Sequence, residues 1–306
     1  MATLFGGTYT ALITPFTTAN QIDWPAFERL IDHQIAAGIT GLVFVGTTGE
    51  SPTLTHQEHR EILRRSVEFV NGRCQVIHGT GSNNTRESIE LAIVAAEAGA
   101  DGHLVINPYY NRPTQEGLYR HFKAVADAAE LPVIVYNIAG RTAVNLETDT
   151  LLRLAEHRNI VGVKEASGNM AQIMDVIRRT PDDFAVLSGD DALTLPLMAC
   201  GGHGLVSVIS NALPHSTVAL VNHCREGRWD EARVAFYALL ELMQLSMTET
   251  NPIPIKYLMH RLGYCTKEVR LPLCEPRPAT VDALDRVLAK MRNLEDLPAS
   301  NTLSNA

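Results

Sequence analysis

The sequence predicts a (β/α)8 barrel followed by a C-terminal helical extension. Eight short apolar runs recur along the first two-thirds of the chain. Segments with apolar residues at helical spacing separate these runs, and strands that alternate with helices pair in parallel. After Val208 the pattern becomes entirely helical. A chain of 306 residues fits a barrel of about 250 residues plus an extension. The alternative, a doubly wound open sheet, usually has fewer strands.

Each predicted strand is a short run rich in apolar and β-branched residues, typical of strands buried on both faces. The eight runs lie at 8–13, 41–45, 75–78, 102–106, 132–136, 160–164, 185–187 and 204–208. The amphipathic segments between them predict helices, because their apolar residues recur every three or four positions. These segments lie at 24–37, 56–70, 85–98, 115–129, 147–155 and 170–179.

Residues at the helix ends support these boundaries. Asp23 precedes Trp24 and Pro25, and proline is favoured in a first helical turn. Gly38 follows the first helix as a C-terminal cap. Thr55 and Glu58, three residues apart, form the pattern of a capping box.

Four further helices are predicted after the last strand, at 214–224, 229–247, 253–262 and 280–291. The first closes the barrel, and the others need a surface against which to bury their apolar faces. We therefore expect a barrel at 1–225, a helical extension at 226–293 and a disordered polar tail at 294–306.

Composition excludes several classes of protein. A formal net charge of -8 argues against a nucleic-acid-binding protein, which would present a basic face. The five cysteines are odd in number and contain no CxxC motif, so neither a disulfide framework nor a zinc ribbon is indicated. The chain shows no signal peptide and no run long enough to span a membrane. These features predict a cytoplasmic protein that binds no membrane.

Lys164 is the candidate nucleophile, because among the five lysines it alone ends a hydrophobic strand. A free lysine has a pKa of about 10.4, so on the order of one amine in a thousand is neutral at pH 7. Burial disfavours the ammonium form and raises that fraction. The hypothesis is a Schiff-base lysine; the alternative is a structural lysine whose chain extends from the strand end toward water.

Other polar residues follow neighbouring strands, and in such a barrel the carboxyl ends of the strands form the active face. Thr47 and Thr48 lie in a Gly-Thr-Thr-Gly segment whose N–H and hydroxyl groups suit a small carboxylate. Tyr136 and Tyr110 can pass protons while a carbinolamine forms and dehydrates. Arg141, expected on a polar loop, can clamp a second carboxylate. The alternatives are a plain turn, packing tyrosines and a solvated arginine.

No metal or other cofactor is predicted. His56 and His59 are three residues apart, which lacks the HExxH spacing of a zinc helix. His203 lies in a glycine-rich turn before the last strand, at the end of the barrel opposite the active face.

Eight motifs together carry a family resemblance. They are GTTGES at 46–51, GTGSN at 79–83, NPYYNRPTQEGLYRHF at 107–122, YN and RT within 136–142, GVKEASGN at 162–169, LSGDD at 187–191, GGHGLVSV at 201–208 and NPIPIK at 251–256. With these in order between Thr8 and Leu273, the chain resembles the pyruvate-dependent class I aldolases, most closely the dihydrodipicolinate synthases (4-hydroxy-tetrahydrodipicolinate synthases).

The resemblance implies condensation of pyruvate, held as a Schiff base on Lys164, with L-aspartate 4-semialdehyde, a step toward diaminopimelate and lysine. It implies a homotetramer, a dimer of dimers, in which Tyr110 reaches into a neighbouring subunit's site. By the same resemblance, Tyr136, Thr47 and Tyr110 form a proton relay. The residues implied to bind substrate are Thr48, Arg141, Gly189 and Val206.

The resemblance also implies a feedback site for lysine at a subunit interface. Its matching positions are Ser51, Pro52, His56, His59, Asn83, Glu87 and Tyr109. The sequence departs from the family pattern in two places: Ala139-Gly140 stands where many relatives have a proline before the arginine, and Pro52 replaces a small residue.

Two rival functions stay open. A sister aldolase would use the same lysine with another acceptor, as do N-acetylneuraminate lyase, 4-hydroxy-2-oxoglutarate aldolase and 2-keto-3-deoxy sugar-acid aldolases; Thr47, Thr48 and Arg141 argue against it. A non-catalytic ligand-binding barrel would have no need of Lys164, Tyr136 and Thr47 together.

Overall fold

The computed structural model describes residues 3–291, so the tail predicted at 294–306 lies outside the described residues. Its eight strands are all parallel and close into a barrel in sequence order, with β8 pairing with β1 from Gly7–Gly204 to Thr10–Ser207. This confirms the predicted (β/α)8 fold and excludes the open sheet. The strands are β1 Gly7–Ala11, β2 Gly41–Phe44, β3 Gln75–Gly79, β4 Gly102–Ile106, β5 Val133–Asn137, β6 Ile160–Glu165, β7 Ala185–Ser188 and β8 Gly204–Ser207.

Helices surround the barrel and continue beyond it. In order they are α1 Trp24–Ala36, α2 His56–Val70, α3 Thr85–Ala98, α4 Gln115–Ala128, α5 Ala139–Thr142, α6 Thr148–Ala155, α7 Met170–Arg179, α8 Thr194–Ala199, α9 Pro214–Arg225, α10 Trp229–Leu245, α11 Ile253–Arg261 and α12 Pro278–Lys290. None of the helices in residues 3–291 combines the length and the apolar character needed to cross a bilayer.

Every predicted strand and helix is present, with ends that differ by at most two residues. Two helices were not predicted, α5 and α8, and short 3-10 turns occur at Ser51–Thr53, Asp191–Leu193 and Ile209–Asn211. These pieces span one or two turns, which is too short for an apolar period to appear in sequence.

The predicted helix caps are confirmed. The Asp23 carboxylate accepts a hydrogen bond from the Ala26 N–H at 3.1 Å. Thr55 and Glu58 make both bonds of the capping box, at 3.1 Å and 2.8 Å. Gly38 follows α1 with φ +79°, a left-handed conformation that glycine adopts without strain.

Two apolar layers hold the barrel together. The larger lies between strands and helices, and α9 closes it against β1. The smaller fills the barrel axis with Phe5, Tyr9, Ala11, Val43, Ile77, Leu104, Ile134, Tyr136, Ala185, Leu187 and Val206. Because strands point alternate side chains inward and outward, both layers come from the same runs. The barrel axis is therefore packed with side chains and is not an open pore.

Candidate active site

A cavity of about 540 Å³ opens at the carboxyl ends of the strands, where the polar strand ends were expected to meet. Lys164 at the end of β6 lies at its base. The predicted site residues that line it are Thr47, Thr48, Ser51, Pro52, His56, His59, Glu87, Tyr109, Tyr136, Arg141, Lys164 and Gly189. Tyr110, Asn83 and Val206 are not in this lining.

Lys164 is buried although it carries an amine, with only 6% of its surface exposed. Burial lowers its pKa to about 7, with a further lowering from the Arg141 charge and an opposing contribution from Asp191. A large fraction of the amines is therefore neutral near neutral pH, and the neutral amine is the form that attacks a carbonyl. The Lys164 Nζ lies 4.1 Å from the centre of the Tyr136 ring.

Gly189 provides the space in which the lysine chain lies. A Cβ at this position would come within 2.8 Å of the Ala166 Cβ and 3.0 Å of the Lys164 Cε. Any side chain at position 189 would therefore displace the lysine. Val206 instead is buried in the inner apolar layer and does not line the cavity.

Tyr136 lies beside Lys164 because β5 and β6 pair in that register. Burial raises the pKa of its phenol to about 12, against lowering contributions from Arg141 and from a hydrogen bond with Thr47. The hydroxyl is therefore protonated at neutral pH and already joined to a second hydroxyl. This pair can donate a proton to a leaving oxygen and take one back.

The Gly46–Glu50 loop after β2 presents Thr47 and Thr48 to the cavity. It is bounded by two residues in the left-handed region, Val45 with φ 54° and Glu50 with φ 56°. A β-branched residue rarely adopts this conformation, and such strain concentrates at functional sites. The Thr48 Oγ1 accepts a hydrogen bond from the Asn251 Nδ2 at 2.9 Å.

Arg141 lies in the one-turn helix α5, so its expected placement on a loop was wrong. Ala139 and Gly140 form the first two positions of this turn, and Ile138 precedes it as the N-cap. The guanidinium donates a hydrogen bond to the Asn251 carbonyl at 3.3 Å. Its charge lowers the pKa of both Lys164 and Tyr136.

Asn251 and Asp191 belong to this site, and sequence reasoning did not single out either one. Asn251 lines the cavity and contacts both Thr48 and Arg141. The Asp191 carboxylate is buried and accepts hydrogen bonds from the Ser207 hydroxyl at 2.5 Å and the Val208 N–H at 2.9 Å. Burial raises its pKa to about 6. Both residues stand in quoted motifs, NPIPIK and LSGDD, which were the available signals.

A second group of polar residues lines the outer part of the same cavity. The His56 Nε2 lies 3.7 Å from the Glu87 Oε1, and the His59 ring bonds to the Ser51 carbonyl at 3.0 Å. Glu87 also accepts a hydrogen bond from the Ser82 hydroxyl. Burial lowers the pKa of His59. No three histidine, cysteine or acidic residues within 3–291 are grouped to hold a metal ion.

The two tyrosines of the loop after β4 are placed differently. Tyr109 lines the cavity and is 38% exposed. Tyr110 is 88% exposed, has φ 73° and does not line the cavity of its own chain. The nearby Asn83 offers its carbonyl to the Asn111 amide at 2.9 Å.

The chain is similar to known proteins in both sequence and fold. The Syntrophotalea carbinolica 4-hydroxy-tetrahydrodipicolinate synthase is 47% identical over 286 residues, 94% of this chain and 98% of that protein. The dihydrodipicolinate synthase structure from Aquifex aeolicus has a TM-score of 0.93 at 45% identity and covers 95% of this chain and 99% of its own. The Cyanidioschyzon merolae structure, with lysine bound, has a TM-score of 0.91 at 40% identity and covers 94% and 98%.

A family model described as the dihydrodipicolinate synthetase family matches residues 4–291. This range includes the barrel, the cavity and the C-terminal helices. The chain therefore belongs to the dihydrodipicolinate synthetase family.

Proposed function

We propose that this protein is a lyase of the class I aldolase type that condenses pyruvate with L-aspartate 4-semialdehyde to 4-hydroxy-tetrahydrodipicolinate, a step toward diaminopimelate and lysine. One observation carries the proposal: a buried lysine with a pKa of about 7 lies against a protonated tyrosine at the base of a cavity. The name of the Syntrophotalea carbinolica relative supports this choice of reaction.

In the first half-reaction the neutral Lys164 amine attacks the C2 carbonyl of pyruvate. Tyr136, protonated and bonded to Thr47, donates the proton with which the carbinolamine hydroxyl leaves as water. Thr48 and the N–H groups of its loop hold the pyruvate carboxylate. Gly189 leaves room for the lysine chain as the imine forms.

In the second half-reaction the Tyr136 phenolate, left after dehydration, takes a proton from C3 of the imine. The resulting enamine attacks the aldehyde carbon of the semialdehyde, and the aldehyde oxygen takes the proton back from Tyr136 to become a hydroxyl. The semialdehyde amine then displaces Lys164 from C2, which closes the ring and restores the free lysine. Arg141, at the cavity wall, binds the carboxylate of this second substrate as a bidentate partner. Tyr110 would act in a neighbouring subunit's relay, a role supported by its exposed side chain and by its absence from the cavity lining of its own chain.

We further propose a homotetramer and inhibition by lysine. Glu87 at the outer cavity suits an ammonium group, and His56, His59, Ser51, Pro52, Asn83 and Tyr109 surround or adjoin it. The lysine-bound Cyanidioschyzon merolae structure supports a regulatory site. A cytoplasmic location fits the five free thiols.

The test is the initial rate of pyruvate consumption with L-aspartate 4-semialdehyde, set beside N-acetylmannosamine as a competing acceptor. Turnover with the semialdehyde alone is expected, because Arg141 provides a charged partner for its carboxylate. A preference for the sugar would make the protein a sister aldolase. Absence of any pyruvate adduct would contradict the lysine chemistry itself.

A further inference from the structure

A completely buried ion pair lies behind the candidate active site. The Lys256 Nζ is 2.5 Å from the Glu50 Oε1, and both side chains are 0% exposed. Among the ion pairs of residues 3–291 it is the only one with both partners fully enclosed. Desolvation makes such pairs no more stable than a well-packed apolar pair. Stability alone therefore does not account for its presence.

The pair is held in a single geometry by further contacts. The Lys256 ammonium donates a second hydrogen bond to the Glu268 carbonyl at 2.8 Å and lies 4.1 Å above the Phe16 ring. The second Glu50 oxygen accepts the Arg270 backbone N–H at 2.9 Å. Each charged group is thus bonded from two directions, and these bonds hold the Glu50 carboxylate in place.

Neither Glu50 nor Lys256 lines the cavity, but Glu50 ends the loop that does. Its backbone N–H donates to the Thr47 carbonyl at 3.1 Å. Its left-handed conformation turns the chain back so that the side chain points into the protein while Thr47 and Thr48 face the cavity. Fixing the Glu50 carboxylate therefore fixes the backbone that carries both threonines.

The C-terminal helices hold this loop at a second point. Asn251 bonds the Thr48 hydroxyl and precedes α11, the helix that contains Lys256. The two anchors are five residues apart in sequence and reach Thr48 and Glu50, which are two residues apart. One segment of the extension thus contacts both ends of the Thr48–Glu50 turn.

We propose that Glu50 and Lys256 are positioning residues. They hold the loop so that the Thr47 hydroxyl contacts Tyr136 and the Thr48 backbone can bind the pyruvate carboxylate. This inference rests on the proposed function. It makes the C-terminal extension a part of the catalytic apparatus, although none of the proposed proton-transfer residues belongs to it.

The experiment compares Lys256→Met, Glu50→Gln and the double variant with the wild type. Leu284→Ala is the matched control, because it removes packing in α12, where the side chain is 1% exposed, and leaves the loop contacts intact. Thermal unfolding of each protein identifies an assay temperature at which all of them are folded. Steady-state kinetics at that temperature then give kcat and the KM for pyruvate, and borohydride trapping of the wild type verifies the lysine chemistry.

Lys256→Met is expected to lower kcat/KM for pyruvate by on the order of 10- to 100-fold, with a raised KM as well as a lowered kcat, because small displacements of positioned groups have effects of this size. Leu284→Ala is expected to lose thermal stability while keeping wild-type kcat and KM. The double variant, which buries no unpaired charge, should recover stability and keep a raised KM.

Wild-type kcat and KM in a folded Lys256→Met variant would overturn the proposal. If that variant does not fold, the double variant decides by the same criterion. Kinetic losses in Leu284→Ala equal to those of the ion-pair variants would equally overturn it, since they would reflect stability alone. Failure of the wild type to form a pyruvate adduct would instead refute the proposed function, and with it this inference.

Discussion

Replacing Lys164 by methionine should stabilise the protein, although most substitutions of buried residues destabilise. Burial lowers the Lys164 pKa from 10.5 to about 7. Folding must therefore either deprotonate the lysine or bury its charged ammonium group away from water, and both cost free energy. At about 1.4 kcal/mol for each tenfold change in proton affinity, this costs about 5 kcal/mol below pH 7. Methionine has a similar length and no charge, so it avoids this cost.

The extra stability of the Lys164→Met variant over the wild type should depend on pH in a defined direction. Below pH 7 the lysine is protonated in both states, and the folded protein bears the full desolvation cost. Between pH 7 and 10.5 only the unfolded lysine is protonated, so the cost declines as pH rises and vanishes near 10.5. The difference between variant and wild type should therefore be largest at acidic pH and disappear at alkaline pH.

The assay is denaturant unfolding of both proteins at about pH 6 and about pH 10. We expect Lys164→Met to be more stable by roughly 2 to 5 kcal/mol at the lower pH, allowing for imperfect packing of the new side chain. Lys123→Met, which removes an exposed lysine paired with Asp127, is the control and should show no such gain. A variant less stable than wild type at acidic pH would refute the burial argument.

Three further predictions concern turnover, formation of the pyruvate adduct and inhibition by lysine. Tyr136→Phe should lower kcat by on the order of 10²- to 10⁴-fold, and the borohydride adduct should still form but more slowly, because the variant loses the proton donor for imine formation and keeps the amine; a normal kcat would exclude the relay. Adduct formation should fall about tenfold for each pH unit below 7, as Lys164 becomes protonated, and a midpoint near 10 would contradict the lowered pKa. L-Lysine should inhibit the wild type and the control variant Glu90→Gln, which changes an exposed residue of α3, at similar concentrations. Half-maximal inhibition of Glu87→Gln should need at least about tenfold more lysine. Equal inhibition of all three proteins would show that Glu87 does not bind lysine.

The strand order and the approximate site could be predicted because both depend on local patterns. A run ending in Lys164 and a run ending in Tyr136 become neighbours once parallel pairing in sequence order is assumed, and the structure pairs these two residues. Gly189 was predicted only through the family resemblance, whose LSGDD motif lies at the end of β7.

The contacts made by the C-terminal helices could not be predicted, because they join residues about two hundred positions apart. Nothing local to Lys256 indicates that its amine meets Glu50, and a lysine in an amphipathic helix usually faces water. Asn251 was missed for the same reason. The α5 helix could not be predicted because four residues are too few to show a helical period of apolar residues. For this reason Arg141 was expected on a loop.

The central claim is that Lys164 forms the imine with pyruvate. The protein should be incubated with pyruvate, reduced with borohydride, digested and analysed by mass spectrometry. The account predicts one reduced pyruvate per chain, attached to the peptide that contains Lys164 and absent from the Lys164→Met variant. An adduct on Lys256 or another lysine, or no adduct at all from a folded protein, would contradict it.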